Sequence, residues 1–368
     1  MQSLFAYQQC KDANLTLATD SIEATFAPDL NSMEVQDKKE LNKQKSQALK
    51  AFEKAFDQHE TSAEHDDPKI QKALQSAFSL YTKGVKKDFD FIKKNLVLQS
   101  EKIYDHYISV LTLALSLAAA AEADKKINHG NFVKNSWIKA LSKSDELKKE
   151  SLKQGMAWDK NFDRVRQWLK DVLKQDNEYM HYLDKKSPSL EDQKKIMNHL
   201  FRRIILGKTS INEFFEGEVL YWAEDHDIVK GMVEKTIKSF NPEKDKAIQL
   251  PVLSLNWEDD RNFIEKLFTE GANLSEKHKA LIASNTRNWE VDRLPLTDRV
   301  IIEMAIAELI SFPNIPVKVT INEYIELAKN YSTPKSRQFI NGILDVISKE
   351  LKSAGSVKKS GRGLIDNK

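Results

Sequence analysis

A single cysteine, Cys10, stands in the 368 residues. A disulfide framework and a cysteine-based zinc site are therefore excluded, and the chain suits a reducing compartment such as the cytoplasm. Cys10 itself reads as a small apolar residue on a helix. Turn-formers are scarce. Only 11 glycines and 9 prolines serve the whole chain, and no Asn-Gly turn separates alternating β-branched runs, which points to an all-α protein. Neither sign of charge dominates. Lys plus Arg is 57 against 55 for Asp plus Glu, a net charge of +2, so uniform coating of nucleic acid is excluded and any such contact must be a local patch. Catalytic signatures are missing too: there is no glycine-rich phosphate loop, no H-E-x-x-H and no G-x-S-x-G. His59 and His65 flank Glu60, Glu64, Asp66 and Asp67, a grouping that reads as a solvated turn rather than a metal site. No catalytic residue, cofactor or metal is expected. The opening MQSLFAYQQC lacks the basic start and small-residue cleavage site of a secretory signal. The longest apolar run, Tyr107 to Ala121, is about fifteen residues and includes Ser109, Thr112 and Ser116. A bilayer span needs roughly 20, so this run is expected to be a buried core helix, with no membrane partner.

What is present is a succession of helical patterns. Apolar residues make up 40% and charged residues 30%, enough to bury a core and stay in water. Leu4, Phe5 and Tyr7 start an amphipathic helix over residues 1–12. Residues 14–46 are polar and mixed, with Pro28 to Lys45 reading as a linker or loosely held helix. Helices are expected over 44–60, 69–99, 100–125, 145–155, 160–183, 190–206, 209–224 and 226–240. Gln249 to Asn256, with Pro251, reads as an extended connector. Crisp patterns follow over 258–270, 275–288, 296–311, 320–331 and 334–351. A degenerate repeat is also visible over 190–241. Glu191-Asp192, Leu200-Phe201, Trp222 and Asp225 recur downstream, at the same spacing, as Glu258-Asp259, Leu267-Phe268, Trp289 and Asp292. It predicts two similarly packed helical units in tandem.

Ile315 to Leu351 reads IPVKVTINEYIELAKNYSTPKSRQFINGILDVISKEL. Thr320 and Glu323 fit a T-x-x-E capping box. Thr333 can cap the last helix, with Pro334 at its first position. Phe339, Ile343, Val346 and Ile347 form that helix's apolar stripe. Its N-terminus offers backbone N–H groups and positive dipole character. Lys335 and Arg337 add charge there, Lys329 precedes the turn, Ser336 and Gln338 can donate hydrogen bonds, and Phe339 can stack a base. This is a candidate site for single-stranded RNA. Read from physics alone, it is equally an ordinary solvated helix start with Phe339 in the core.

Three ordered blocks resemble the NusB family. Val317-Lys318-Val319-Thr320-Ile321-Asn322-Glu323 with Glu326-Leu327-Ala328-Lys329 is similar to its P-x-K-V-x-I-N-E-x-x-E-L-A-K signature. Ser336, Phe339, Ile340, Asn341, Gly342, Ile343, Leu344 and Asp345 resemble its S-x-x-F-V-N-G-V-L-D. Asp298-Arg299-Val300-Ile301 with Ala305, Glu308 and Leu309 matches the segment from its charged pair through to A-x-x-E-L. The firm resemblance covers about 257–351, and Gln2 to Gln8 is similar to the family's first helix. The long stretch between them marks an enlarged N-terminal half.

The resemblance implies a helical bundle in which a C-terminal subdomain, 257–351, packs on an N-terminal helical region, 1–250, followed by a disordered tail at 352–368. It implies a non-enzymatic transcription antitermination factor. Such a protein binds boxA-like RNA together with NusE, joins the RNA polymerase antitermination complex and promotes read-through, notably in ribosomal RNA operons. By position, Lys329, Lys335, Ser336, Arg337, Gln338 and Phe339 are expected to contact RNA. Asp298 and Arg299 are expected at the NusE interface, and Asn322 and Asn341 in helix packing. Two departures stand out. The family's arginine-rich stretch before the first helix is missing, so the true start is expected upstream of Met1. Lys335 stands where the family often carries an acidic residue. The alternative is a helical protein–protein scaffold that has lost RNA binding. Family-related RNA-cytosine methyltransferases carry a catalytic domain after their NusB-like one, and only a short tail follows residue 351 here.

Overall fold

The computed structural model describes residues 1–29, 36–154, 158–245, 247–285 and 294–367, and every regular element among them is helical. In chain order the helices are α1 Gln2–Thr25, α2 Lys38–Asp57, α3 Pro68–Glu122, α4 Gly130–Val133, α5 Ser136–Lys143, α6 Asp145–Gln154, α7 Phe162–Asp171 and α8 Asn177–Leu183. They continue with α9 Leu190–His199, α10 Thr209–Glu218, α11 Trp222–Ser239, α12 Trp257–Ala272, α13 Glu276–Asn285, α14 Leu296–Ser311, α15 Val317–Tyr331 and α16 Pro334–Ser353. The all-α expectation holds.

The chain forms two compact units, Met1–Val97 with Glu258–Lys368, and Leu98–Trp257. The division therefore falls inside α3 and at the start of α12. The sequence hid the first boundary because Leu98-Gln99-Ser100-Glu101 contains no helix breaker. The two helices expected over 69–99 and 100–125 are one.

The first unit holds two apolar cores. In one, Ala18, Ile22 and Phe26 of α1 and its end pack with Ala48 and Phe52 of α2 and with Ile70, Leu74 and Phe78 of α3. Residues 14–25, polar and mixed in sequence, are thus helix with a buried face. α2 begins at Lys38 because the Asp37 carboxylate accepts from the backbone N–H groups of Lys39 at 2.9 Å and Glu40 at 3.2 Å. The second core centres on α14. Its Ile301, Ile302, Ala305, Ile306 and Leu309 are fully buried, so the helix is apolar nearly all round, as a central helix must be. Leu4 and Tyr7 join this core, and Tyr7, Phe89 and Phe268 meet with ring centroids 5.3 to 6.0 Å apart.

Two local expectations are corrected here. α15 starts at Val317 with Pro316 as its cap, so Thr320 lies within the helix, fully buried, and makes no capping box. Its hydroxyl bonds back to the Pro316 carbonyl at 3.4 Å instead. The tail is ordered. Lys359 Nζ donates to the Phe312 carbonyl and Ser360 N–H to that of Pro313, each at 3.0 Å, and Gly361–Asn367 forms a 3-10 turn. Gly363 lies so close to the Pro313 carbonyl that a Cβ would sit 2.0 Å from it, so only glycine permits this approach.

The second unit is built on the apolar half of α3. Tyr107, Ile108, Val110, Leu111, Leu113, Ala114 and Leu117 are fully buried. By length and composition α3 could cross a membrane, but 56% of its most apolar window is buried, as in a core helix. Around it lie Trp158, Trp168, Phe214, Phe215 and Trp222, with Phe215 stacked on Trp222 at 4.3 Å. Buried polar groups are paired: His106 with Asp225 at 3.2 Å, and Trp137 Nε1–H with the Ile237 carbonyl at 3.1 Å. Ser189 and Asp192 form a capping box at the start of α9.

The described parts of the two repeat copies fall in different units and in different local structure. Leu200-Phe201 is π-helical, whereas Leu267-Phe268 is α-helical. Trp289 and Asp292 lie outside the described residues.

Candidate nucleic-acid interface

The candidate site is the turn from α15 into α16. Thr333 caps α16 as its sequence position predicts. Its Oγ1 accepts from the Ser336 backbone N–H at 3.2 Å and lies 2.9 Å from the Ser336 hydroxyl, with Pro334 following the cap. Arg337 N–H donates to the Thr333 carbonyl at 3.1 Å. Pro334 has no N–H. Within this turn, the Lys335 N–H is the one that proline and these bonds leave for a ligand. Any anion attraction here must come mainly from side chains and the helix dipole.

Those side chains are in place. Lys335 and Arg337 are exposed and form no ion pair among the described residues. Gln338 is exposed beside them, and Phe339 is half-buried on the α14 core. Lys335, Gln338 and Phe339 line an open groove with Asn285, Gly342, Ile343 and Val346. The wall is therefore apolar and aromatic, with cationic and amide groups at one end. Such a pairing suits a stacked base and its phosphate. Val346 is 43% exposed, so it belongs to the groove rather than to the buried stripe where helical periodicity put it. Ser336 is spent on the cap, and Lys329 is paired with Glu326. These two expected RNA contacts are thus already occupied.

A second groove lies between α15 and α16, lined by Lys318, Ile321, Asn322, Asn341, Gly342 and Asp345. Asn322 and Asn341 are exposed there and not buried in helix packing as expected. A Cβ at Gly342 would meet nothing within 4 Å, so the α16 backbone lies bare between the grooves. The asparagines were missed because motif spacing does not tell a packed polar residue from an exposed one.

Two buried polar pairs hold this turn. Asp298 is only 1% exposed and accepts a hydrogen bond from the Ser332 hydroxyl, one residue before the Thr333 cap. It was expected on a protein-facing surface. The structure places it inside, where a charged acceptor satisfied by one hydroxyl anchors the turn to α14. Its neighbour Arg299 is exposed, with Nε 3.6 Å from Glu303 one turn along. Burial raises the Glu303 carboxyl pKa, against Arg299, Lys279 and Lys11. Deeper in, Tyr324 donates to Glu308 Oε2 at 2.9 Å. Burial raises the Glu308 pKa, while hydrogen bonds from Thr320 and Tyr324 oppose the rise. Burial likewise pushes the Tyr324 hydroxyl far up. No group of three or more His, Cys, Asp or Glu able to hold a metal occurs among the described residues.

Comparison with known proteins converges on this region. The NusB family model matches residues 229–349, starting within α11, upstream of the sequence blocks. The Transcription antitermination protein NusB of Salinibacter ruber is 43% identical over 105 residues, 28% of this chain and 66% of that one. Its counterpart in Chloroherpeton thalassium is 36% identical over 163 residues, 44% of this chain and 71% of that one. In Koribacter versatilis the figures are 41% over 103 residues, 28% and 70%. No solved structure matches. With identity at this level across more than two thirds of two such relatives, this chain belongs to the NusB family.

Proposed function

We propose that this protein is a non-enzymatic transcription antitermination factor whose α16 N-terminus grips single-stranded, boxA-like RNA. Lys335 and Arg337 take the phosphates, while Gln338 and Phe339 meet the bases along the groove that ends at Val346. Support comes chiefly from one observation: Lys335 and Arg337 are exposed and form no ion pair among the described residues, beside a groove walled by Phe339 and Ile343. Cations neutralised within the fold could not release counterions on binding RNA. Lys329, paired with Glu326, contributes less, and Ser336 acts through the cap. The protein partner is NusE, met on the side of α14 that carries Arg299 and Glu303. Asp298 acts indirectly by fixing the turn. The complex acts on RNA polymerase in the cytoplasm, notably in ribosomal RNA operons, and no covalent step is involved.

The test is binding of a boxA-like RNA and a scrambled RNA, with and without NusE, to the wild type and to Lys335→Ala/Arg337→Ala. Sequence-specific binding that NusE strengthens and the double variant weakens is expected. Binding to NusE with no RNA preference would leave the protein–protein scaffold as the better reading.

A further inference from the structure

The family match begins at residue 229, yet an unusual surface lies far upstream, on the first-unit half of α3. Leu80, Lys83, Lys87, Phe91 and Lys94 recur at spacings of three and four, which places them on one stripe of a helix. All five are exposed, and Phe91 is 66% exposed and Leu80 44%. Phe91 is the most exposed large apolar side chain on this half of α3 among the described residues. The lysines differ from their neighbours on the same helix. Lys86 is paired with Asp90 at 3.2 Å and Lys93 with Glu265 at 3.5 Å. Lys83, Lys87 and Lys94 form no ion pair among the described residues. Of the two acidic residues beside the stripe on α3, Asp90 is paired with Lys86, and Asp88 accepts from the Asn14 side-chain amide at 2.7 Å. The stripe therefore carries three uncompensated positive charges around one exposed aromatic ring.

We propose that this stripe is a second contact surface for single-stranded nucleic acid, with Phe91 stacking a base and Lys83, Lys87 and Lys94 holding the phosphates on either side. The rise of about 1.5 Å per residue separates Lys83 from Lys94 by about 16 Å, a span for a short tract of extended strand. An aromatic ring stacks on any base, and lysines track any backbone, so the surface extends RNA contact without reading sequence. Charge complementarity selects a polyanion over an apolar partner. An acidic protein segment would use the lysines and gain little from a flat exposed ring among them.

The test uses the full chain and a fluorescein-labelled single-stranded oligouridine, with affinity measured by anisotropy at several salt concentrations. Lys83→Gln/Lys87→Gln/Lys94→Gln is expected to weaken binding about tenfold and to flatten the log Kd against log salt slope by about 2. Phe91→Ala removes no charge; it should weaken binding about fivefold or more and leave the slope unchanged. Lys148→Gln/Lys153→Gln/Lys238→Gln removes the same charge from the other unit and should change little. Repeating the series in the Lys335→Ala/Arg337→Ala background separates the two sites. A stripe effect that persists there supports the stripe even if the α16 reading fails. The stripe is overturned if both stripe variants bind like wild type, if the wild type does not bind the probe, or if the distant triple variant matches the stripe triple.

Discussion

The helices α14 to α16 and the unit of residues 98–257 are both rich in buried polar groups, but they spend them differently. In the 98–257 unit, polar side chains close on one another. His106 meets Asp225, His129 lies between Tyr179 at 2.8 Å and Asp124 at 3.1 Å, and His199 meets Asp176 at 2.9 Å. Lys174 pairs with Asp124 as well, and that carboxyl is held far below its ordinary pKa chiefly by the Lys174 hydrogen bond. In α14 to α16, Asp298 and Glu308 accept inside from Ser332 and Tyr324, while Lys335 and Arg337 are exposed and form no ion pair among the described residues. Interior bonds there hold a turn, and the turn presents unneutralised charge. A charge already paired in the fold stabilises the fold at best, whereas an unpaired one is available to a ligand.

The largest expected effect tests whether the two regions are energetically separate. Trp222 is 1% exposed, stacks on Phe215 and donates to Asn212 at 3.0 Å. Trp222→Ala should destabilise the protein by about 3–5 kcal/mol in urea unfolding. Under native conditions its affinity for RNA should match wild type. An equal loss of RNA affinity would break the comparison.

Next in size is Ser332→Ala, which leaves the buried Asp298 carboxylate without this donor. A loss of about 1–3 kcal/mol is expected, together with weaker RNA binding, because the Thr333 cap is no longer tied to α14. Stability lost with RNA affinity intact would show that the anchor does not position the site.

The pH dependence sharpens the contrast further. The folded carboxyl of Glu308 has a raised pKa because it is buried. Its contribution is therefore full below the unfolded value, near 4.3, and is lost as pH rises through the folded value. Glu308→Gln keeps an acceptor for Tyr324 and cannot ionise, so its urea midpoint should fall less than that of wild type as pH rises through this window. Parallel midpoints would mean that Glu308 does not titrate there.

Lys335→Ala/Arg337→Ala should leave stability within about 0.5 kcal/mol, yet lower the salt slope of RNA binding by about 1 to 1.5. Gly342→Ala should stabilise α16 by up to about 1 kcal/mol in thermal unfolding, since the added methyl meets no neighbour. Weaker RNA binding by this more stable variant would mark a close approach of ligand to the α16 backbone.

The sequence by itself determined the helical class, the Thr333-Pro334 start of α16 and the family. Each depends on residues near one another in the chain: apolar spacing, a capping hydroxyl, a proline with no N–H to lose, and motif blocks in order. Tertiary structure alone decided which of the expected contacts remain available. Asp298 was expected at the NusE interface from its position in the family motif, but packing of α14 against the α15–α16 turn buried it against Ser332. Val346, Asn322 and Asn341 went the other way, because no helix among the described residues covers their faces of α15 and α16. The tail from Ser353 looked unstructured because what holds it, the carbonyls of Phe312 and Pro313, lies 47 residues upstream. Helical periodicity shows which residues share a face. Only the packing of the remaining helices decides whether that face is covered, and so whether its charges are neutralised within the fold or left for RNA.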